Sequence, residues 1–236
     1  MKKALTMLGV VLGVLCFYVT LGQAEKKNAN SIIVESTIKN IRQKDIDRVR
    51  NEGEKGLTSI CSLLGIENTP QITIKIVEGG ICYADGVIIS LPIRRVRQKK
   101  AAIVHEVTHV ITRHSYNRFF SEGLAVYFQE RFGEDHGFPN FSGKPLHKLA
   151  VTCKDRFTSL VNLSLERNNA IFNKVGSEER TIAYIQAGSF ICFLTEQYGE
   201  EKLRALHNSA RLDYEKIYGK NISVLEQEWR KFLLTI

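Results

Sequence analysis

The segment AAIVHEVTHVITRH, residues 101–114, strongly constrains the fold around it. His105 and His109 are four residues apart, so on an α-helix their side chains lie on one face, one turn apart. The other positions are mostly apolar, which predicts a helix that is buried on nearly every side. Burial of two histidines and the adjacent Glu106 is costly unless these groups have partners. The segment therefore predicts a buried helix whose polar side chains bind a shared ligand or one another.

The pattern His-Glu-x-x-His is typical of a catalytic metal site. Both histidines can direct a ring nitrogen at one ion, and Glu106 follows the first of them, beside the metal rather than on it. A carboxylate in that position can take a proton from water bound at the metal. A catalytic zinc requires three protein ligands, so one more ligand must come from another part of the chain.

Two residues are candidates for the third ligand. His114 does not fit the longer pattern His-Glu-x-x-His-x-x-Gly-x-x-His, because Thr112 and Ser115 occupy the required Gly and His positions. Glu122 lies at the start of the next predicted helix, after a short loop that lets the chain reverse. A glutamate there is also favoured by the helix dipole alone. Because its neighbours are apolar and a buried glutamate needs a counter-charge, we expect Glu122 to be the ligand.

The two segments together resemble the gluzincins. HEVTH followed by FFSEGLAVYF is similar to their His-Glu-x-x-His and Glu-Gly-x-Ala segments, most closely in the small peptidase-MA-like branch related to aminopeptidase N. The resemblance covers roughly residues 80–200. It implies one zinc ion held by His105, His109 and Glu122, with Glu106 as the general base.

The resemblance extends to TIAYIQAGSFICFLTEQYGEEKL, residues 181–203. In the aminopeptidase N family the corresponding helix opens with Tyr-x-x-Gly-Ala, and its tyrosine hydroxyl helps to stabilise the oxyanion of the tetrahedral intermediate. Alignment places Tyr184 at that tyrosine, followed by Ala187 and Gly188 in reversed order. The alternative is a tyrosine that packs at a helix start with its hydroxyl in solvent.

The sequence departs from that family in three respects. Twelve residues separate His109 from Glu122, fewer than in aminopeptidase N. The Gly-x-Met-Glu-Asn segment that grips a free amino terminus is absent, so aminopeptidase activity is not implied. Val126 stands where some relatives place a carboxylate that supports the metal ligands, so the ligands must be oriented by other groups. The choice between endo- and exopeptidase action stays open.

The order of predicted elements indicates an α+β fold, in which a small, mostly antiparallel sheet precedes a helical body that carries the His-Glu-x-x-His helix. Residues 31–65 have helical spacing, whereas QITIKIV, residues 71–77, alternates and predicts a strand. Residues 81–92 predict one or two further strands, including an edge strand suited to binding extended peptide. The remaining predicted helices cover residues 94–114, about 121–133 with Ser121 as cap, 146–161, 178–199, 200–209 and 222–234.

The first 24 residues are typical of a signal peptide. Two lysines precede an uncharged apolar run, and Gly22-Gln23-Ala24 provides the small residues that signal peptidase recognises. The alternative is an uncleaved anchor, although the run from Leu5 to Leu21 is shorter than a typical spanning helix. We expect cleavage, export to the periplasm or the medium, and no stable membrane insertion afterwards.

The predicted mature chain, residues 25–236, is long enough for one domain with a sizeable core. We expect a single domain with an N-terminal helical segment, residues 25–65, and a catalytic core, residues 66–236. The N-terminal segment could shield the cleft. No internal repeat, low-complexity tract or linker divides the chain.

The formal net charge of +8 is spread along the chain, apart from the run RRVRQKK at residues 94–100. This basic run fits a contact with an anion or a membrane surface, or a solvated approach to the next helix, which we favour. The sequence has no RNA-binding aromatic motif, recognition-helix pattern or zinc-finger spacing, so nucleic-acid binding is not expected.

Four cysteines would remain after cleavage: Cys61, Cys82, Cys153 and Cys192. An oxidising compartment favours disulfides, but the sequence cannot rank the possible pairings. Isolated buried thiols are the alternative, since Cys61 and Cys192 lie in apolar helical runs.

These features predict an exported zinc metallopeptidase that acts on peptide or protein substrates. One alternative is a catalytically silent, zinc-stabilised module that binds a peptide or a cell-envelope partner. It leaves Glu106 without a purpose, because a binding protein needs no base. The other is a metal-free helical domain, which makes Glu106, Glu122 and Tyr184 coincidences.

Overall fold

The computed structural model describes residues 31–236, except for the side chains of residues 166–169. The predicted signal peptide lies outside the described residues. Within them, a small sheet and a larger body of helices form the α+β fold that the sequence predicts. No helix in this part of the chain is both long enough and apolar enough to cross a membrane.

The sheet is mixed, so the prediction of a mostly antiparallel sheet is wrong. Its four strands in the described residues follow the order β1-β2-β4-β3. Strand β1 pairs with β2 in parallel, β2 pairs with β4 in parallel, and only β3 pairs with β4 in an antiparallel way. The strands are β1 (Ile32–Ser36), β2 (Ile72–Val77), β3 (Tyr83–Asp85) and β4 (Ile88–Pro92). As predicted, β3 lies at the edge of the sheet.

The helix predicted over residues 31–65 is wrong for its first part. Strand β1 comes first, and helix α1 covers only Gln43–Leu64. Strand β1 depends on hydrogen bonds to β2, a distant segment, and this pairing overrides the local helical spacing. Helix α1 then forms the crossover that parallel strands require. Gly65 ends the helix in the left-handed conformation, as expected of a C-cap.

The helix predicted over residues 94–114 is divided in two. Helix α2 covers Ile93–Arg97 and helix α3 covers Ile103–Thr112, and Lys99 and Ala102 between them have positive φ angles. In α2 only Val96 is buried, whereas in α3 nine of the ten residues are buried. The burial predicted for the histidine helix is therefore confirmed.

Helix α4, Arg118–Phe132, begins three residues before the predicted start. Asn117 caps it, since the Asn117 side chain accepts a hydrogen bond of 2.9 Å from the Phe120 backbone N–H. The predicted cap, Ser121, lies inside the helix instead. Because α4 starts earlier than predicted, Ser121 and Glu122 lie in its first turns, where their side chains face His109 of α3.

The C-terminal half is helical, as predicted. The long helix predicted over residues 178–199 and the two after it agree with the structure to within two residues. The helix predicted over residues 146–161 is broken near residue 154, and a short helix at Tyr214–Tyr218 was not predicted. These helices are α5 (Leu146–Cys153), α6 (Leu160–Leu163), α7 (Glu178–Tyr198), α8 (Glu200–His207), α9 (Tyr214–Tyr218) and α10 (Ile222–Leu233), with 3-10 turns at Lys154–Arg156 and Glu166–Asn173.

The four cysteines are free thiols, in agreement with the alternative of isolated thiols rather than with disulfides. Cys153 is buried, whereas Cys61, Cys82 and Cys192 are partly buried.

Helices α4 and α7 cross at close range because glycine is present at the crossing. A Cβ atom on Gly188 would lie 2.3 Å from Val126 Cγ1, and one on Gly123 would lie 3.0 Å from the Ala187 carbonyl oxygen. Only residues without a side chain allow this approach. Val126 therefore packs against the backbone of α7 at Gly188.

We expect Gly188→Ala to destabilise the protein by about 1–3 kcal/mol, because the added methyl group overlaps Val126. At a helix position without such a contact, the same change stabilises by up to about 1 kcal/mol. Urea unfolding measures the difference, and adding Val126→Ala should recover part of the loss. A single variant as stable as the parent protein would show that the crossing is looser than described.

Candidate active site

Three side chains from two helices converge on one point. His105 and His109 come from α3, and Glu122 comes from α4. The two Nε2 atoms are 3.1 Å apart, and Glu122 Oε2 lies 3.3 Å from His105 Nε2 and 3.2 Å from His109 Nε2. The structure thus brings together the three residues that the sequence suggests as metal ligands.

This triangle has the dimensions of a zinc site. Ligands about 2.0–2.1 Å from a tetrahedral zinc ion are about 3.3–3.4 Å from one another. The three observed distances approach one face of such a tetrahedron. Glu122 Oε2 is buried and has no hydrogen-bond donor among the described residues, although its other carboxylate oxygen has one. A bound cation would give this orphaned oxygen a partner, so the residues fit zinc.

Neighbouring side chains orient the three candidate ligands, as expected from a sequence that has no carboxylate at Val126. Arg118 Nη2 donates a hydrogen bond of 2.9 Å to Glu122 Oε1, which leaves Oε2 facing the histidines. His109 Nδ1 lies 3.2 Å from Ser121 Oγ, a contact that holds the ring with Nε2 toward the same point. Neither Arg118 nor Ser121 was predicted to support the site, although Arg118 precedes Glu122 by one helical turn.

Gln129 is a further supporting residue that the sequence did not indicate. Its Oε1 accepts a hydrogen bond of 3.1 Å from the backbone N–H of His105, and its Nε2 donates to the Asp135 carbonyl. Gln129 is fully buried and links α4 to the first turn of α3. It helps to fix the position of His105, because a buried amide with both ends bonded allows little movement.

The two glutamates of the site are both buried but differ in their pKa. Burial raises the pKa of Glu106 above its usual value, and the nearby histidines only partly oppose this effect. Burial also acts on Glu122, but the charges of the neighbouring His109 and His105 outweigh it and hold the Glu122 pKa well below its usual value. Such a separation is typical of a pair in which one carboxylate stays ionised and the other exchanges protons.

Tyr184 lies on α7 beside these groups. Its ring centroid is 5.9 Å from that of His105, and the side chain is only 5 % exposed. Its hydroxyl oxygen accepts a hydrogen bond of 2.6 Å from Arg180 Nη2, and the Arg180 guanidinium carbon lies 4.8 Å from the ring centre. The phenolic proton is therefore free to be donated elsewhere. This environment differs from the alternative of a solvent-facing hydroxyl at a helix start.

All five predicted residues line one cleft of about 760 Å³. Its walls come from the edge of β3, including Tyr83 and Ala84, and from α3, α4 and α7. An extended peptide in this cleft would meet the free edge of the sheet, where unpaired backbone groups can bind it.

A second group of possible ligands, His147, Cys192 and Glu196, lies outside this cleft. Its members already bind one another, since His147 Nε2 lies 3.2 Å from Glu196 Oε2 and the Cys192 thiol contacts Glu196 Oε1 at 3.3 Å. Burial raises the pKa of the Cys192 thiol, which favours the protonated form. This group is explained as a hydrogen-bonded cluster, and the cleft offers the better zinc site.

A family model described as the Peptidase MA superfamily matches residues 72–235. The chain belongs to the peptidase MA superfamily. The match runs from β2 to the end of α10 and includes every residue of the candidate site. Searches of the curated proteins and of the solved structures return no match. The link to the aminopeptidase N branch accordingly rests on the motifs alone.

For this peptidase MA protein, we expect Glu122→Gln to weaken zinc binding by more than about 100-fold, because even supporting contacts around a metal contribute 10–100-fold. Zinc content after dialysis against a weak chelator measures the effect. Glu196→Gln is the matched control, since Glu196 belongs to the second group of ligands. Full zinc content in Glu122→Gln, or its loss in Glu196→Gln, would contradict the assignment.

Proposed function

We propose that this member of the peptidase MA superfamily is an exported zinc metallopeptidase of the gluzincin type, related to the aminopeptidase N branch. The observation that carries the proposal is the triangle of His105, His109 and Glu122 ligand atoms, 3.1–3.3 Å apart, with Glu106 on the same helix. A site that only bound zinc for stability would need no additional buried carboxylate.

The three ligands would hold one zinc ion, which when bound supplies a Lewis acid and lowers the pKa of water toward neutral. Glu106 lines the cleft one residue after the first ligand. In the proposed reaction it takes the proton from the attacking water and passes it to the leaving amine.

Tyr184 would stabilise the negative charge that develops on the carbonyl oxygen of the substrate. Its hydroxyl can donate one hydrogen bond while it accepts the bond from Arg180. A donor held in place before the reaction needs no reorganisation when charge develops. Arg180 is the positioning residue in this scheme, since it acts through the tyrosine.

The substrate would be a peptide or an unfolded protein segment that lies along β3. Strand β3 is at the edge of the sheet and borders the cleft, so main-chain hydrogen bonds could align the substrate with the site. Export, by way of the predicted signal peptide, belongs to the same proposal.

We expect Glu106→Gln to lower the rate of peptide hydrolysis by about 10²–10⁴-fold, because glutamine cannot accept the proton. Zinc content should not change. Cleavage of a mixed, unfolded protein substrate, followed by mass spectrometry, measures the rate, and Glu201→Gln on α8 is the control. Unchanged hydrolysis in Glu106→Gln would exclude the mechanism, whereas a zinc-loaded parent protein without hydrolysis would favour the binding module.

We expect Tyr184→Phe to lower kcat by about 10²–10³-fold with little change in KM, because the hydroxyl acts mainly on the transition state. Tyr198→Phe, on the same helix but outside the residues that line the cleft, should retain full activity. Steady-state kinetics on a peptide cut by the parent enzyme tests both variants. An unchanged kcat in Tyr184→Phe would leave the tyrosine with a packing role only.

A further inference from the structure

The cleft carries an excess of positive charge. Among the described residues that line it, the acidic side chains are the two glutamates of the site, Glu106 and Glu122. The basic side chains outnumber them: Arg95, Lys100, Arg113, Arg118 and Arg180. A bound zinc ion would add to this excess.

Two of these cations already serve the site and the other three have no such partner. Arg118 contacts Glu122, and Arg180 contacts the Tyr184 hydroxyl. The remaining three are exposed, and no salt bridge to another described residue neutralises them; they are Arg95, Lys100 and Arg113. Like charges gathered at a cleft create a positive potential that attracts anions.

The position of these cations accounts for part of the basic run at residues 94–100. Arg95 and Lys100 line the cleft, whereas Arg94 and Lys99 do not. The run therefore presents part of its charge to the substrate side, beyond the solvated approach to α3 favoured from the sequence. Arg113 follows the last residue of α3, so the free cations flank both ends of the helix that carries the site.

We propose that the cleft selects acidic peptides, with aspartate or glutamate side chains on either side of the bond to be cleaved. This inference rests on the proposed peptidase function. Arg95 and Lys100 would bind carboxylates on one side of the site, and Arg113 would bind a carboxylate on the other. Arginine and lysine at a cleft favour carboxylates by charge and by hydrogen bonding.

The first test compares peptides that differ only in charge. Peptides with blocked termini carry glutamate, glutamine or lysine at the same two positions flanking one cleavage site, and kcat/KM is measured for each. We expect glutamate to exceed glutamine by about 2- to 5-fold per charge, the range of an exposed ion pair, and lysine to be the poorest. The preference should shrink at 0.5 M salt because of screening. Equal rates for the three peptides would overturn the inference. The same set is then measured with a free carboxyl terminus, and a preference that appears only in that second set would also overturn the inference.

The second test uses matched pairs of variants. Arg95→Gln with Lys100→Gln removes two charges at the cleft, and Arg94→Gln with Lys99→Gln removes two charges from the same run outside it. We expect the first pair to lose the preference for glutamate and the second to keep it. Arg113→Gln should lower the preference at one of the two flanking positions. Equal loss in both pairs would mean that net charge, rather than the cleft, attracts the peptide, and would overturn the inference.

A binding measurement separates this inference from the proposed function. Glu106→Gln protein binds a labelled acidic peptide or its glutamine counterpart, and fluorescence anisotropy gives both Kd values. If the acidic peptide binds more tightly than its glutamine counterpart but the parent protein hydrolyses neither, the acidic ligand class is retained and the peptidase function is rejected. Hydrolysis or binding without a charge preference would reject the acidic ligand class.

Discussion

The site depends on holding three electron-rich atoms within 3.3 Å of one another. Two imidazole nitrogens and a carboxylate oxygen repel at that distance unless a cation or a shared proton lies between them. The helical period of α3 places His105 and His109, but Glu122 depends on the turn into α4 and on the crossing of α4 and α7. Gly123 and Gly188 allow that crossing. The position of the Glu122 carboxylate therefore depends on packing between two helices that are far apart in the sequence.

Fixed positive charge supports the site from two helices in the same way. Arg118 precedes Glu122 by four residues on α4, and Arg180 precedes Tyr184 by four residues on α7. In each pair the guanidinium donates a hydrogen bond to an oxygen of the side chain one helical turn away. The same cleft is lined by the further cations Arg95, Lys100 and Arg113, so the candidate site and these cations share one electrostatic environment.

The sequence predicts the parts of the site that depend on spacing along one helix or on a motif. His105, Glu106 and His109 follow from the helical period, and the structure brings Glu122 to them. Strand β1 was predicted as helix because its pairing with β2 joins segments far apart in the chain. The parallel pairing of the sheet was missed for the same reason. Likewise, no local pattern indicates that Gln129 reaches the His105 backbone, or that Arg95 and Lys100, rather than Arg94 and Lys99, line the cleft.

X-ray absorption spectroscopy of the protein loaded with one equivalent of zinc tests the central claim most directly. A site made of two histidines and a glutamate predicts only nitrogen and oxygen neighbours at about 2.0–2.1 Å, with the outer-shell pattern of imidazole. A sulfur neighbour at about 2.3 Å would contradict the account, because it would place the metal on a cysteine, such as Cys192 in the second group.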